Sequence, residues 1–223
     1  MKQQDTQARN RLGNAEALIF DFDGTLAPNL DLPDMRRQVV ALTLERGVPQ
    51  QVFEDLYIVE IIEAAAAWLS RKGGEAAADY HATAHGLITE FELQAAKLTE
   101  PFPAARATLN ALRQRGKRLG VVTRNCSRAV RTVFGDIDVY CEAVLARDDV
   151  EFLKPDVRHV RQALGAMNGT PERAAMIGDG RLDMHVGQAL GMTCVGVLTG
   201  SADADTLRAA GAHLIVAGLE ELL

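Results

Sequence analysis

Two aspartates, Asp21 and Asp23, stand two residues apart at the end of the apolar run 17–20. Burying carboxylates is costly, so an apolar run that ends in acids predicts a buried parallel strand whose acids lie at the edge of the sheet. Open α/β folds bind their ligands at that edge. The pair therefore predicts a reaction centre, which needs a cation, a positively charged side chain and donors for a bound anion from elsewhere in the chain.

Four more polar residues lie at the ends of other apolar runs or in polar loops. The hydroxyl of Thr123 can donate to a bound anion, and the ammonium of Lys154 can neutralise one. Asp179 follows the apolar run 174–178, and Asp183 comes four residues later at the start of a helix. Taken singly, each residue also suits an ordinary role: a capping hydroxyl, a solvated lysine, or an acid at a helix N-terminus.

Two common ligand-binding loops do not fit the spacing. A calcium loop of the D-x-D-x-D-G type needs a third oxygen ligand before its glycine, but Gly24 follows Asp23 directly. A dinucleotide-binding loop needs three spaced glycines, and the sequence around Gly178 and Gly180 lacks the third. The acids therefore belong to another kind of site.

The composition is that of an ordinary globular protein, with 48% hydrophobic and 24% charged residues. No apolar stretch approaches the roughly 20 residues that span a bilayer. A net charge of −6 and scattered basic residues disfavour a nucleic-acid partner. The polar segment 1–14 has no signal-peptide core, so we expect a flexible leader and a cytoplasmic protein. Cys126, Cys141 and Cys194 lack metal-site spacing and are expected to be reduced thiols in or near the core.

Short apolar runs alternate with segments of helical pattern outside one interval. This alternation predicts an α/β fold with a doubly wound, mostly parallel, Rossmann-like sheet and helices on both faces. The predicted strands are 17–22, 119–123, 143–146, 174–177, 193–198 and 213–216, and the predicted helices are 104–115, 127–134, 156–166, 182–190 and 203–210.

The exception is the interval 28–100, which contains no strand pattern. Apolar residues recur there every three or four positions over 52–69 and 80–98, after a shorter helix at 34–46. Prolines at both edges are typical of linkers to an inserted lobe, which we expect to cap the acids. The predicted domains are an α/β catalytic core at 15–27 and 101–223 and a helical bundle cap at 28–100.

Together these motifs resemble those of the haloacid dehalogenase superfamily of phosphohydrolases. The DxDGT signature is residues 21–25, the strand-end threonine is Thr123, the lysine is Lys154, and the GDxxxD signature is residues 178–183. The helical insertion is similar to the cap of the phosphoglycolate-phosphatase-like branch. The strings at 123–125 and 147–149 also look like that branch.

The resemblance implies a role for each motif residue. Asp21 is the nucleophile that forms an aspartyl phosphate, and Asp23 is the general acid and base. Thr123 and Lys154 bind the non-bridging phosphate oxygens, and Asp183 orients Lys154 or a water on the metal ion. Further substrate contacts are expected from Gly24, Thr25, Arg124 and Asn125.

The implied cofactor is Mg²⁺. Two acids would repel a phosphate dianion unless a cation lies among them, and Mg²⁺ prefers oxygen ligands. The expected ligands are the carboxylates of Asp21 and Asp179 and the backbone carbonyl of Asp23.

The presence of Asp23 also limits the reactions that the resemblance allows. Dehalogenases of the superfamily lack this second aspartate, because a halide leaving group needs no proton, so dehalogenation is disfavoured. The favoured activity is hydrolysis of small phosphomonoesters, either phosphoglycolate-like compounds or sugar phosphates, with a small phosphorylated metabolite as the partner. Two alternatives stay open: a sugar-phosphate mutase of the same fold, and a non-catalytic phosphate- or protein-binding relative, which is expected to have lost one of the acids.

Substrate selectivity is expected to come from polar residues of the cap. The candidates are Arg36, Arg37, Arg71, Lys72, His81 and His85. Asn29 stands near a position where the branch commonly has an acid, so no individual member's substrate is carried over. The oligomeric state is left open.

Overall fold

Six parallel strands form one sheet within residues 2–71 and 73–223, the part of the chain that the computed structural model describes. They are β1 (Ala17–Phe20), β2 (Arg118–Val122), β3 (Ala143–Leu145), β4 (Ala174–Gly178), β5 (Thr193–Val197) and β6 (Leu214–Val216). Their order across the sheet is β3-β2-β1-β4-β5-β6. The direction of winding therefore reverses between β1 and β4, the doubly wound, Rossmann-like order that the sequence predicts.

The strands read as unbroken apolar runs because the sheet is covered on both faces. Every residue of β1, β4 and β5 is buried. The predicted first strand was two residues too long: the Asp21 amide still donates to the Ile177 carbonyl at 2.8 Å, but the amides of Leu26 and Ala27 both turn back to the Phe22 carbonyl. The chain thus leaves the sheet at the aspartate pair.

Ten α-helices accompany the sheet within the described residues. They are α1 (Lys2–Asn14), α2 (Leu32–Glu45), α3 (Ile58–Ser70), α4 (Gly74–Ala96), α5 (Ala105–Gln114), α6 (Ser127–Val133), α7 (Ile137–Tyr140), α8 (Val157–Ala166), α9 (Arg181–Ala189) and α10 (Ala204–Ala209). For α5, α6, α8, α9 and α10, the predicted first and last residues both lie within one residue of the observed ones. The short α7 was not predicted.

The segment 1–14 was predicted to be a flexible leader, and this prediction was wrong because residues 2–14 form α1. Ala8 and Leu12, four residues apart on one helix face, are both buried. The Lys117 ammonium donates to the carbonyls of Gly13 and Ala15 at 2.6 Å each, which satisfies the acceptors at the end of the helix.

The predicted helix over 52–69 also begins later than expected, at Ile58. The residues before it form a 3₁₀ turn at Gln50–Val52 and then a turn. The Arg36 guanidinium donates to the carbonyls of Leu56 and, at 2.8 Å, Glu54. A side chain therefore takes the acceptors that a longer helix would have used.

The chain divides into two compact units, Met1–Asn29 with Ala96–Leu223, and Leu30–Ala95. In the sheet unit, one core cluster joins β1 and β4 to α8 and α9 through residues such as Ile19, Met176 and Val160. In the helical unit, a separate cluster includes Tyr80, whose hydroxyl lies 2.7 Å from that of the buried Thr43.

All three cysteines are buried, as expected of thiols in or near the core. None of the described helices has the length and apolar character needed to cross a bilayer.

A matched pair of leucines tests the sheet as the centre of stability. Leu18 in β1 is 1% exposed, and Leu98 is 92% exposed. Leu18→Ala should lower the free energy of unfolding by about 2–5 kcal/mol, because it leaves a cavity under the central strand. Leu98→Ala should change it by less than about 0.5 kcal/mol. Urea unfolding followed by circular dichroism measures both, and equal losses would contradict the assignment.

Candidate active site

A buried ammonium joins two carboxylates at the carboxyl edge of the sheet. Lys154 Nζ lies 2.6 Å from Asp21 Oδ1, at the end of β1, and 2.7 Å from Asp183 Oδ1, in the first turn of α9. The side chains of Lys154 and Asp183 are each 3% exposed, and that of Asp21 is 13% exposed. The fold thus brings together three residues that the sequence analysis drew from three separate motifs.

The charges of this group act strongly on one another. Burial, and next the carboxylate of Asp183, raise the pKa of Asp21 well above its ordinary value, although the Lys154 ammonium opposes them. Burial also raises the pKa of Asp183, again against Lys154. Burial alone would lower the pKa of Lys154, but the carboxylates of Asp183 and Asp21 outweigh it and raise that pKa. Lys154 is therefore a fixed positive charge, and the site carries more negative charge than one lysine neutralises.

The backbone of Lys154 is held from both sides. Its amide donates to His159 Nδ1 at 3.2 Å, and its carbonyl accepts from the guanidinium of Arg124. His159 Nε2 lies 3.1 Å from the Leu145 carbonyl at the end of β3, so it carries the proton and Nδ1 is the acceptor. Burial first, and then the charges of Lys154 and Arg124, lower the pKa of His159 to about 4. A neutral histidine therefore fixes the position of the lysine.

The turn after β2 holds Asp23. The Asn125 side-chain amide donates to Asp23 Oδ1 at 3.0 Å, and the Thr123 hydroxyl donates to Oδ2 at 3.3 Å. The side-chain oxygen of Asn125, Oδ1, accepts in turn from the Cys126 amide at 2.8 Å. Thr123 and Asn125 were expected to contact phosphate and substrate, and Arg124 the substrate. In the structure, the polar groups of these residues bind Asp23 and the Lys154 backbone.

Asp179, at the end of β4, lies in a pocket that two glycines leave open. Its Oδ2 accepts from the Ser201 amide at 2.7 Å, from the Ser201 hydroxyl at 3.0 Å and from Asn29 Nδ2 at 3.3 Å. A Cβ on Gly24, whose φ is +79°, would lie 2.5 Å from Asp179 Cγ, and a Cβ on Gly200 would overlap the same carboxylate. Glycine at both positions is therefore what lets the acid sit there.

Gly24 and Thr25, which were expected to contact the substrate, lie in the turn that follows Asp23. The Gly24 amide donates to the Ala27 carbonyl at 2.7 Å, and the Thr25 amide donates to the Phe22 carbonyl at 3.2 Å. Thr25 is fully buried, and its hydroxyl has no hydrogen-bond partner among the described residues. Both residues shape the turn that presents the two aspartates.

The donor set suits Mg²⁺. One carboxylate oxygen from each of Asp21, Asp179 and Asp183 lies within 4.8 Å of the others. Three acids face one ammonium, and carboxylate oxygens are the ligands that Mg²⁺ prefers. The residues present therefore fit this ion, with Asp183 in the cluster beside the two predicted carboxylate ligands.

His159 and Ser201 were not predicted from the sequence to belong to the site, and Asn29 was predicted only to differ from the residue common in the phosphoglycolate-phosphatase-like branch. Ser201 had a weak signal, since it lies just after the carboxyl end of β5, the edge where the acids gather. His159 had none, because a histidine at an apolar position of a helix is ordinary core.

The polar cap candidates have local partners in the helical unit. The Arg37 guanidinium donates to Asp34 at 2.6 Å, Arg36 binds the carbonyls of Glu54 and Leu56, and both His81 and His85 face Glu63. Arg71 is exposed, and Lys72 lies outside the described residues.

A doubly wound sheet with an acid–lysine cluster at its switch point is the arrangement of an α/β protein that binds its ligand at the carboxyl edge of the sheet. Residues 18–197 match the family model described as haloacid dehalogenase-like hydrolase. The chain belongs to this family, which confirms the resemblance inferred from the motifs.

Individual relatives agree with this assignment. A phosphoglycolate phosphatase of Caulobacter vibrioides is 30% identical over 191 residues, 82% of this chain and 77% of the relative. Pyrophosphatase PpaX of Bacillus velezensis is 28% identical over 218 residues, 93% of this chain and 94% of the relative. The crystal structure of a predicted phosphoglycolate phosphatase from Haemophilus somnus has a TM-score of 0.65 at 20% identity, covering 94% of this chain and 96% of that one, which shows the fold.

The buried neutral histidine predicts a pH dependence of stability. The pKa of His159 is about 4 in the folded chain and about 6.5 when unperturbed, so the unfolded state binds more protons between these values. Neutral His159 therefore makes its full contribution to the free energy of unfolding above pH 6.5. This contribution is lost as the pH falls to about 4, and the loss is at most about 3 kcal/mol. His159→Asn should flatten the dependence of the unfolding free energy on pH in this window.

The control is His185→Asn, because His185 is exposed. Denaturant unfolding at several pH values compares the three proteins. If His159→Asn kept the wild-type slope, the neutral form assigned to His159 would be wrong.

Proposed function

We propose that the enzyme hydrolyses small phosphomonoesters through an aspartyl phosphate on Asp21, with Mg²⁺ as its cofactor. One observation carries the proposal: Lys154 is shared between Asp21 and Asp183, yet only Asp21 keeps an accessible edge, 13% of its side chain against 3% for Asp183. A nucleophile must be reachable and charged; burial raises the pKa of Asp21, and the Lys154 ammonium together with a bound Mg²⁺ would offset that effect and favour the charged form.

In the first step an oxygen of Asp21 attacks phosphorus, and the bond between phosphorus and the leaving oxygen breaks. Asp23 gives its proton to that leaving oxygen, so an alcohol departs. The hydrogen bonds from Asn125 at 3.0 Å and Thr123 at 3.3 Å support this role, because they fix the Asp23 carboxyl at the same edge of the sheet as Asp21.

In the second step Asp23 takes a proton from water as the water oxygen attacks the phosphorylated aspartate. The bond between phosphorus and the Asp21 oxygen breaks, inorganic phosphate leaves, and both aspartates return to their starting states. Asp23 therefore works first as an acid and then as a base.

Positive charge must meet the phosphate in both steps. The Lys154 ammonium has three N–H donors, and Asp21 and Asp183 accept two of them, so a phosphate oxygen completes its set. Asp21, Asp179 and Asp183 would hold Mg²⁺, which when bound offsets the repulsion between these acids and the substrate.

The names of the relatives suggest where to look for the substrate. They are a phosphoglycolate phosphatase and a pyrophosphatase, both of which act on small, strongly anionic phosphate compounds. We propose the same chemical class here, including phosphoglycolate-like acids and sugar phosphates. A screen of phosphorylated metabolites with Mg²⁺, measuring released phosphate, tests this, and a parallel assay for transfer to sugar hydroxyls separates hydrolysis from mutase activity.

Replacing the nucleophile tests the mechanism. Asp21→Asn should lower the rate of phosphate release from a generic phosphomonoester by about 10⁴-fold or more, since no covalent intermediate can form. Asp205→Asn, at an exposed position of α10, should be as active as wild type. Steady-state assays with Mg²⁺ compare them, and substantial turnover by Asp21→Asn would exclude the aspartyl phosphate.

Replacing the lysine tests the charge clamp. Lys154→Met should lower kcat/KM by about 10²–10³-fold, the scale found when one preorganised donor is removed. It should also lower the free energy of unfolding by about 3–5 kcal/mol, because it leaves buried carboxylates unpaired. Lys97→Met, at an exposed position, is the control for both measurements. A Lys154→Met enzyme that is folded and fully active would show that Lys154 does not bind the phosphate.

A further inference from the structure

A second group of metal-ligand side chains lies in the helical unit, away from the aspartates in sequence. Glu63 is on α3, and His81 and His85 are on α4. Histidines four residues apart share one face of a helix, so both rings can turn toward the same point. The side chain on the neighbouring helix supplies a third possible ligand.

The three ligand atoms converge. Glu63 Oε1 lies 3.0 Å from His81 Nε2 and 3.2 Å from His85 Nε2. The two imidazole rings have their centroids 4.4 Å apart and are tilted by 48°, so they approach without stacking flat. One ligand atom from each residue lies within 4.8 Å of the others.

We propose that Glu63, His81 and His85 form a binding site for a divalent transition metal ion of the Zn²⁺ type. Zn²⁺ binds histidine nitrogen and carboxylate oxygen at about 2.0–2.2 Å, so two ligand atoms of a tetrahedral site lie about 3.3 Å apart. The two nitrogen–oxygen distances, 3.0 and 3.2 Å, are close to that value. Small side-chain rotations therefore complete the site.

The three side chains are accessible to an ion from solvent, and the backbones that carry them are fixed by the core. The side chains of Glu63, His81 and His85 are 57%, 45% and 26% exposed, so an ion reaches them from solvent and keeps a water as its fourth ligand. The residues next to them in sequence, Ile62 and Ala84, are buried in the core of the helical unit. Packing thus fixes the two backbones that carry the ligands.

The donor set separates this site from the acidic one. Two imidazoles and a carboxylate suit Zn²⁺, Cu²⁺ or Ni²⁺, whereas the aspartate cluster offers only oxygen and suits Mg²⁺. Saturating Mg²⁺ should therefore occupy the aspartates and leave the histidines to the second ion. The proposal does not depend on the phosphatase mechanism, because its test measures binding.

The experiment is calorimetric titration of the whole protein with Zn²⁺ in saturating Mg²⁺. We expect one equivalent to bind to wild type, and the midpoint of thermal unfolding to rise with Zn²⁺ concentration. His81→Ala, His85→Ala and Glu63→Gln should each weaken binding by about 10-fold or more. His185→Ala removes an exposed histidine outside the cluster and should bind as wild type does.

Alanine and glutamine are good helix formers, and circular dichroism checks that each variant keeps its helices. Absence of Zn²⁺ binding by wild type would overturn the proposal. So would wild-type affinity in all three cluster variants, which would place the ion elsewhere.

Discussion

The structure depends on one buried ammonium, that of Lys154, shared between Asp21 and Asp183. Charges removed from water are tolerated only when they are paired and hydrogen-bonded. The end of β1, the start of α9 and the loop before α8 must therefore meet within hydrogen-bond distance. His159 and Arg124 extend this requirement to the lysine backbone, so residues far apart in the chain are tied to the position of one nitrogen atom.

The order of the strands explains how two acids so near in sequence come to have different surroundings. β1 lies between β2 and β4. Asp23 is held by Thr123 and Asn125 from the β2 side, and Asp21 shares its lysine with Asp183 from the β4 side. Because all six strands in the described residues run in parallel, these groups meet at one edge, and the proposed proton carrier, Asp23, and the proposed nucleophile, Asp21, have different hydrogen-bond partners.

The strands and the acids at their carboxyl ends could be predicted from the sequence, because a buried parallel strand is an unbroken apolar run and the acids directly follow such runs. The hydrogen-bond partners of these acids could not be predicted. Spacing puts Thr123 and Asn125 near the acids but does not say whether they bind Asp23 or a ligand. α1 was missed because only two apolar positions, Ala8 and Leu12, anchor an otherwise polar helix. His159 looks like any core histidine until the backbone it accepts from is known.

The pocket of Asp179 ties the evolution of three positions together. Gly200 is needed only because a side chain would collide with that carboxylate, since its own backbone lies outside the left-handed region. Gly24 is needed twice, for the same collision and for its φ of +79°. A lineage that lost Asp179 would free Gly200 to vary while Gly24 stayed fixed. Regaining the acid would then require restoring the glycine first, so loss of the carboxylate is difficult to reverse by a single substitution.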